Sequence, residues 1–346
     1  MKVAAYATQG AEENLQPFEI TRRELQPNDV LIEITHCGVC HSDIHTARND
    51  WGRAQYPFVP GHEIIGRVSE VGAQVSKHSV GDQVGVGCMV DACLQCSACH
   101  DGDEQFCETG MVGTYGGVEP VIGGPTFGGY SRCIVVRDEF VLKVSEQLDP
   151  ASAAPLLCAG ITSWSPLKHW NIGKGDKVGV IGLGGLGHMG IKFAVALGAD
   201  VTMITTSAQK GEDAKRLGVK DVLLSTDRSA TKAQLGTFDF LLNTVPVKHN
   251  LNPYLGLLAR NGTMVLVGAI EPLEEMHAGL LLANRRRIAG SGIGGIAETQ
   301  EMLDFCAQHN ITCDIEEIAM KDINAAYDRV VSGDVKYRFV IDMATL

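Results

Sequence analysis

Residues 182–187 read Gly-Leu-Gly-Gly-Leu-Gly, between the apolar run Lys177-Val178-Gly179-Val180-Ile181 and a helical pattern through Met189–Leu197. The order strand, glycine loop, helix gives such a loop its meaning. Gly182, Gly184, Gly185, Leu186 and Gly187 allow a tight turn, let the backbone approach a pyrophosphate and seat it on the positive end of the helix. A second apolar strand, Asp200–Ile204, follows and completes a βαβ unit. The alternation continues through Val222–Leu224, Phe238–Leu242 and Met264–Val267, with helical stretches between them, for example Leu255–Leu258. This pattern predicts an α/β fold with a doubly wound parallel sheet.

The residues after the second strand select the dinucleotide. An acid there, about 20 residues beyond the loop, takes the ribose 2′-hydroxyl of NAD. Here the stretch is Ile204-Thr205-Thr206-Ser207-Ala208-Gln209-Lys210, which has no acid. Thr206, Ser207 and Lys210 offer two hydroxyls and a cation, which suit a 2′-phosphate, so NADP(H) is expected. The plainer reading makes Ser207 only the N-cap of a solvated helix.

Residues 1–150 have a different character. Short runs such as Val30–Ile34, Val84–Val86 and Cys133–Val136 lie between Gly, Pro and Asp residues, and Met1–Tyr6 reads as a first strand. Gly81-Asp82 and Gly128-Gly129 read as turns. Most of the 11 cysteines fall here. Cys93-x2-Cys96-x2-Cys99-x7-Cys107 places four thiolates within 15 residues, enough to close a tetrahedral shell around a structural zinc. A second group is scattered: Cys40 in Cys37-Gly38-Val39-Cys40-His41-Ser42-Asp43, His62 with Glu63, and Cys158. Two thiolates and one imidazole would leave a fourth position open, as a catalytic zinc requires. Taken alone, Cys158 reads equally as a small buried side chain and His62 as a core histidine.

The remaining 55 residues read as helix (Glu298–His309), strand (Ile311–Ile315), helix (Ile323–Ser332) and strand (Lys336–Asp342). They are too few for a domain and are expected to return to the first one. The expected division is 1–150, 151–291 and 292–346, which suits a chain of 346 residues. A net charge of −12 argues against nucleic acid and anionic membrane as partners. There is no apolar run long enough to span a membrane and no apolar signal segment at the start. Many cysteines without such a signal fit a reducing compartment, the cytoplasm.

With these motifs in view, the chain resembles the zinc-containing medium-chain dehydrogenase/reductase family, and most of all its cinnamyl alcohol dehydrogenase and NADPH-dependent aldehyde reductase branch. The carriers are the Cys37–Asp43 motif, Pro60-Gly61-His62-Glu63, the four-cysteine segment, Pro155-Leu156-Leu157-Cys158-Ala159-Gly160-Ile161-Thr162, Gly182–Gly187 and Lys336-Tyr337-Arg338-Phe339-Val340-Ile341-Asp342. The resemblance implies a GroES-like β-rich catalytic domain carrying both zinc sites, joined to a Rossmann domain, with the active site between them. It implies two zinc ions per chain and NADP(H), acting on a small-molecule aldehyde or alcohol, with reduction favoured.

Several residue roles also follow from the resemblance. Cys40, His62 and Cys158 would hold the catalytic zinc, with Glu63 as an alternative ligand. Asp43 would accept from the other ring nitrogen of His62. Ser42 would bond the substrate oxygen and His45 would pass the proton to solvent. His41 and Arg338 would meet the cofactor phosphates, while Thr162, Val267 and Ser291 would help hold the dinucleotide. Trp51 and Cys88 would line the substrate pocket. A homodimer through the sheet edge near Arg287–Gly295 is expected. Thr206 stands where NAD-linked relatives have an acid, and His41 where many have arginine; both fit the NADP(H) branch. Thr206→Asp is therefore expected to shift kcat/KM from NADPH toward NADH, and an unchanged ratio of the two would contradict this reading of residues 204–210.

Overall fold

An 11-residue strand organises the first part of the chain. The computed structural model describes residues 1–268 and 271–346. A short antiparallel pair, β1 (Lys2–Ala7) and β2 (Gln16–Thr21), opens it. Then β3 (Asp29–Val39) runs through the core with Val30, Ile32, Ile34, Cys37 and Val39 buried. It ends at helix α1 (His41–Ala47) and is followed by β4 (Ile64–Val71), β5 (Gln83–Val86) and β6 (Met89–Asp91). The four-cysteine segment carries one short helix, α2 (Ser97–His100). Beyond it come β7 (Val112–Gly113), β8 (Cys133–Arg137), β9 (Leu142–Lys143) and α3 (Pro150–Ala153). Along one side β3 pairs with β4; along the other its first half pairs with β8.

Gly128 and Gly129 do not form the expected turn. They lie extended against Val59–Gly61, with Gly128 N donating to Val59 O and Gly129 N to Gly61 O. A Cβ on Gly128 would stand 2.2 Å from the Pro60 carbonyl oxygen, so close backbone approach is what these glycines permit.

Residues Thr162–Ile293 form a second compact unit. After α4 (Ala159–His169) come β10 (Lys177–Ile181), α5 (Gly185–Ala196), β11 (Asp200–Thr205), α6 (Ala208–Arg216), β12 (Asp221–Leu224), α7 (Arg228–Ala233) and β13 (Phe238–Asn243). The series continues with α8 (Asn252–Leu257), β14 (Leu258–Leu266), α9 (Ala278–Leu282) and β15 (Arg287–Gly290). The six strands pair in parallel in the order β12-β11-β10-β13-β14-β15. The order reverses beside β10, which places the ligand-binding crevice of such a sheet at the carboxyl ends of β10 and β13. Ile181, Ile204, Leu241, Leu255 and Met264 pack one core here. The helix expected over Leu255–Leu258 stops at Leu257, and Leu258 already pairs with Phe238 as the first residue of β14.

The last segment, Gly294–Leu346, belongs with Met1–Ile161. It contains α10 (Ile296–His309), β16 (Ile315–Ala319), α11 (Ile323–Ser332) and β17 (Arg338–Asp342). β17 pairs antiparallel with the second half of β3, Phe339 opposite Val39, and parallel with β16. The first unit's main sheet thus reads β16-β17-β3-β4-β5-β9, with β8 on β3. The strand expected at Ile311–Ile315 begins only at Ile315. Ile311 and Cys313 are buried from an extended connection, with Cys313 N donating to Ser152 O, so their apolarity reflects core packing rather than pairing.

The four-cysteine segment supplies what α10 lacks. The N-cap of α10 is Gly295, which has no side chain to satisfy the first amides. Glu104, 9% exposed, fills that role from across the fold, accepting from Ile296 N at 2.9 Å. A Cβ on Gly295 would lie 1.7 Å from the Gly102 carbonyl oxygen, so only glycine allows this contact. Removing a capping oxygen costs about 1 kcal/mol. Glu104→Ala should therefore speed hydrogen exchange at the amides that open α10 and lower the unfolding midpoint, and unchanged exchange there would contradict the cap.

Candidate active site and metal centres

The end of β3 hands the chain to α1 through Cys40, the N-cap of that helix. Asp43, at the third helical position, is fully buried and accepts three hydrogen bonds. Its Oδ2 accepts from Cys40 N at 2.8 Å; its Oδ1 accepts from Gly61 N at 3.1 Å and from His62 Nδ1 at 2.9 Å. With Nδ1–H committed to the carboxylate, His62 presents Nε2 as its free ligand atom. Cys158 arrives from the turn before α4, with its sulfur 3.9 Å from that of Cys40. The ligand atoms of Cys40, His62, Glu63 and Cys158 all lie within 4.8 Å of one another.

The electrostatics of this cluster favour a cation. The thiol of Cys158, the guanidinium of Arg338 and His62 pull the Cys40 pKa well below that of a free thiol, against the effect of burial. Cys158 is pushed well up by its hydrogen bonds with Cys40 and Cys88 and by burial. Glu63 is fully buried, and burial raises its carboxyl to about 7 despite the pull of Arg338. Its Oε1 accepts from Arg338 Nη2, while Oε2 has no partner among the described residues. An orphaned buried carboxylate oxygen beside two sulfurs and an imidazole nitrogen is the donor set of a metal site with a replaceable ligand. Gly38 makes room for it, because a Cβ there would fall 1.9 Å from Glu63 Oε2.

The second cluster is built differently. The sulfurs of Cys93, Cys96, Cys99 and Cys107 lie within 4.8 Å of one another. Backbone amides point at three of them: Cys96 N to Cys93 Sγ at 3.3 Å, Cys93 N to Cys107 Sγ at 3.4 Å, and Glu108 N to Cys96 Sγ at 3.4 Å. Such bonds favour thiolates. The hydroxyl of Thr109 and the amide of Cys93 bring Cys107 down to about 6, whereas burial and the neighbouring Cys96 hold Cys99 up to about 12. Four sulfurs with no fifth donor beside them among the described residues suit a closed structural zinc site.

Around the mixed cluster the other expected residues occupy several positions. Ser42 sits on α1 directly after His41, and its carbonyl accepts from Thr46 Oγ1. The His41 and His45 rings stack at 6.0 Å, and Trp51, 39% exposed, tilts against His45 at 5.7 Å. Cys88 Sγ is directed at the carbonyl of Leu157. Arg338 is 5% exposed and turned onto Glu63, with Nε left unpartnered.

Three participants escape sequence reasoning. Asp50 Oδ2 stands 2.7 Å from His45 Nδ1; the only sequence signal is Asn49, whose left-handed backbone folds the chain back after α1. Tyr115 packs on His62 from 53 residues away with no local pattern to mark it, and Gly38, though inside the Cys37–Asp43 motif, carries no sign there that it clears space for Glu63.

In the second unit the expected dinucleotide residues gather at the carboxyl ends of the strands. Gly182 has φ +93°, and its amide donates to Ile204 O. Thr244 Oγ1 holds the loop by donating to Ile181 O at 2.9 Å. A Cβ on Gly187 would stand 2.0 Å from Gly182 O, whereas one on Gly184 would project into open space, as a cradle for a bound group requires. Gly185, Leu186 and Gly187 form the first turn of α5. Thr206 is exposed after β11, and Ser207 caps α6 by accepting from Lys210 N. Val267 N donates to Asn243 O and Ser291 N to Leu266 O, at the ends of the neighbouring strands. Thr162 is 7% exposed on α4.

A doubly wound sheet, a closed sulfur cluster and an open mixed cluster together define a metal-dependent oxidoreductase of the dinucleotide-binding class. Known proteins agree. Residues 26–146 match the alcohol dehydrogenase GroES-like domain, and residues 185–308 match the zinc-binding dehydrogenase domain. Over 350 residues the chain is 55% identical to the aldehyde reductase YahK of Escherichia coli, covering 100% of this chain and 99% of that protein. A cinnamyl alcohol dehydrogenase from Sorghum bicolor superposes with a TM-score of 0.96 at 43% identity, covering 99% and 98% of the two chains. CAD from Helicobacter pylori complexed with NADP(H) gives 0.93 at 42% identity, covering 99% of each. This chain belongs to the zinc-binding alcohol dehydrogenase family, and it is an enzyme.

Proposed function

We propose that this chain is a zinc-dependent, NADP(H)-linked oxidoreductase that interconverts aldehydes and primary alcohols, aromatic or medium-chain, with reduction favoured. The mixed cluster carries this reading, above all the orphaned Glu63 oxygen beside Cys40, His62 and Cys158. Zinc, when bound, supplies a Lewis acid, and NADPH a hydride. The chain does the rest. Cys40, His62 and Cys158 hold the metal, and Glu63 serves as the exchangeable fourth donor. Arg338 keeps Glu63 in place, and its unpartnered Nε is the donor left for a cofactor phosphate. Ser42 hydrogen-bonds the substrate oxygen. His45, paired through Nδ1 with Asp50, carries the proton to solvent beside His41. Trp51 and Cys88 form apolar walls.

In the second unit Gly182–Gly187 cradle the pyrophosphate on α5, and Thr206, Ser207 and Lys210 take the 2′-phosphate. Thr162, Val267 and Ser291 hold the nicotinamide end. We assign catalysis to the first unit, dinucleotide binding to the second, and completion of the first unit's sheet to the C-terminal segment. β15 is an edge strand with Leu282 80% exposed just before it, which supports a homodimer formed along this edge. No helix among the described residues is long and apolar enough to cross a membrane, and a count of 11 cysteines, four of them clustered at Cys93–Cys107 as for a metal, supports a reducing, cytoplasmic location.

Purified protein should oxidise NADPH rapidly with benzaldehyde or cinnamaldehyde, slowly with NADH, and not after zinc is stripped by a chelator. Cys40→Ala should lose turnover yet still bind NADPH, as read by cofactor fluorescence. Normal turnover in this variant would remove the catalytic assignment of the cluster.

A further inference from the structure

A single hydrogen bond cannot by itself fix the plane of a ligand ring. Asp43 Oδ1 anchors His62 at Nδ1, at 2.9 Å, yet the imidazole can still tilt about that contact. Tyr115 packs against the ring that would tilt. Its ring stands edge-on to His62, with centroids 5.3 Å apart and planes at 80°. Behind it, Phe58, 2% exposed, meets Tyr115 at 5.0 Å, also at 80°. The three rings form a ladder whose far end is core and whose near end is a proposed metal ligand.

The backbone under Tyr115 is unusually well held for a loop. Thr114 N donates to Cys88 O at 3.1 Å, and Thr114 Oγ1 donates to Gly87 O at 2.5 Å. On the other side Thr126 Oγ1 donates to Gly113 O at 2.9 Å and accepts from Gly117 N at 2.9 Å, while Thr126 N donates to Gly117 O. Residues 113–117 are thereby tied to the Gly87-Cys88 connection between β5 and β6 and to the chain returning at Thr126. A ring mounted on so constrained a segment resists displacement, and perpendicular aromatic pairs attract beyond what their buried area supplies.

We propose that Tyr115 is a positioning residue for His62, its ring holding the imidazole in the plane that directs Nε2 at the metal cluster. The proposal rests on the reading of His62 as a zinc ligand. Asp43 fixes where the ring's nitrogen lies and Tyr115 fixes how the ring is turned. The aromatic ring carries this role, so phenylalanine is an adequate replacement and an aliphatic side chain is not. Partners one step removed from a metal typically change its retention by about 10–100-fold when lost.

The test is zinc release from the holoenzyme into an excess of a colorimetric zinc chelator, for wild type, Tyr115→Phe, Tyr115→Leu and His62→Ala. Wild type should release two ions in separate phases, and His62→Ala should lack one, which identifies the catalytic phase. Tyr115→Leu should release that ion about tenfold faster or more, with the four-cysteine phase unchanged, kcat reduced and NADPH affinity retained. Tyr115→Phe should behave as wild type. If Tyr115→Leu releases the catalytic ion at the wild-type rate, or accelerates both phases equally, the proposal fails. If His62→Ala keeps both phases, the ligand reading fails and takes the proposal with it. Should Tyr115→Leu not fold, Tyr115→Met provides the same comparison without a planar ring.

Discussion

Asp43 joins two stretches of chain that nothing local would bring together, the start of α1 and the Gly61-His62 segment. Its carboxylate is fully buried, a costly position for a charge unless hydrogen bonds replace the lost water. It receives three: from the amide that opens α1, from the amide of Gly61, and from the ring of His62. One side chain therefore caps the helix bearing Ser42 and His45, fixes the Pro60–Gly61 strap against Gly128–Gly129, and selects the His62 tautomer. Deleting it would leave two amides and an imidazole N–H unpaired at once. Such losses do not add independently, because each bond holds the geometry of the others.

The two sulfur clusters divide their work by composition. Four cysteines from one short segment can hold an ion without help from the rest of the chain, and their amide-to-sulfur bonds favour the thiolate state. That segment then caps α10 through Glu104, so its order is passed to the chain that returns to complete the main sheet. The mixed cluster draws Cys40, the His62-Glu63 pair and Cys158 from three distant stretches of chain, and it needs Asp43, Arg338 and Gly38 to hold them. A closed shell stabilises; a shell with an exchangeable carboxylate leaves room for a substrate oxygen.

Local chemistry was legible in the sequence wherever a short motif carried it. The β10–α5 glycine loop, the missing acid before Ser207 and the Cys93–Cys107 spacing each state their meaning within a few residues, and the parallel order of the sheet followed from simple alternation. Where the reading slipped, contacts with distant residues decided the local structure. Ile311 and Cys313 are apolar because their connection is buried, and Leu258 belongs to a strand because Phe238 pairs with it. The glycines at 128 and 129 mark close approach to Pro60 rather than a turn. Asp50, Tyr115 and Gly38 were invisible because their importance is spatial: each matters only for what it touches from elsewhere in the chain. The pairing of Arg338 with Glu63 links residues 275 positions apart, and periodicity gives no warning of it.

On the proposed reading, one chain holds two metal centres of different kinds. Anomalous scattering at the zinc absorption edge, from crystals of the purified enzyme, tests it most directly. Two peaks per chain are expected. One should lie at bonding distance from the sulfurs of Cys93, Cys96, Cys99 and Cys107, the other from Cys40, Cys158 and His62 Nε2. A single peak at the four cysteines, with the mixed cluster empty in zinc-replete protein, would contradict the account.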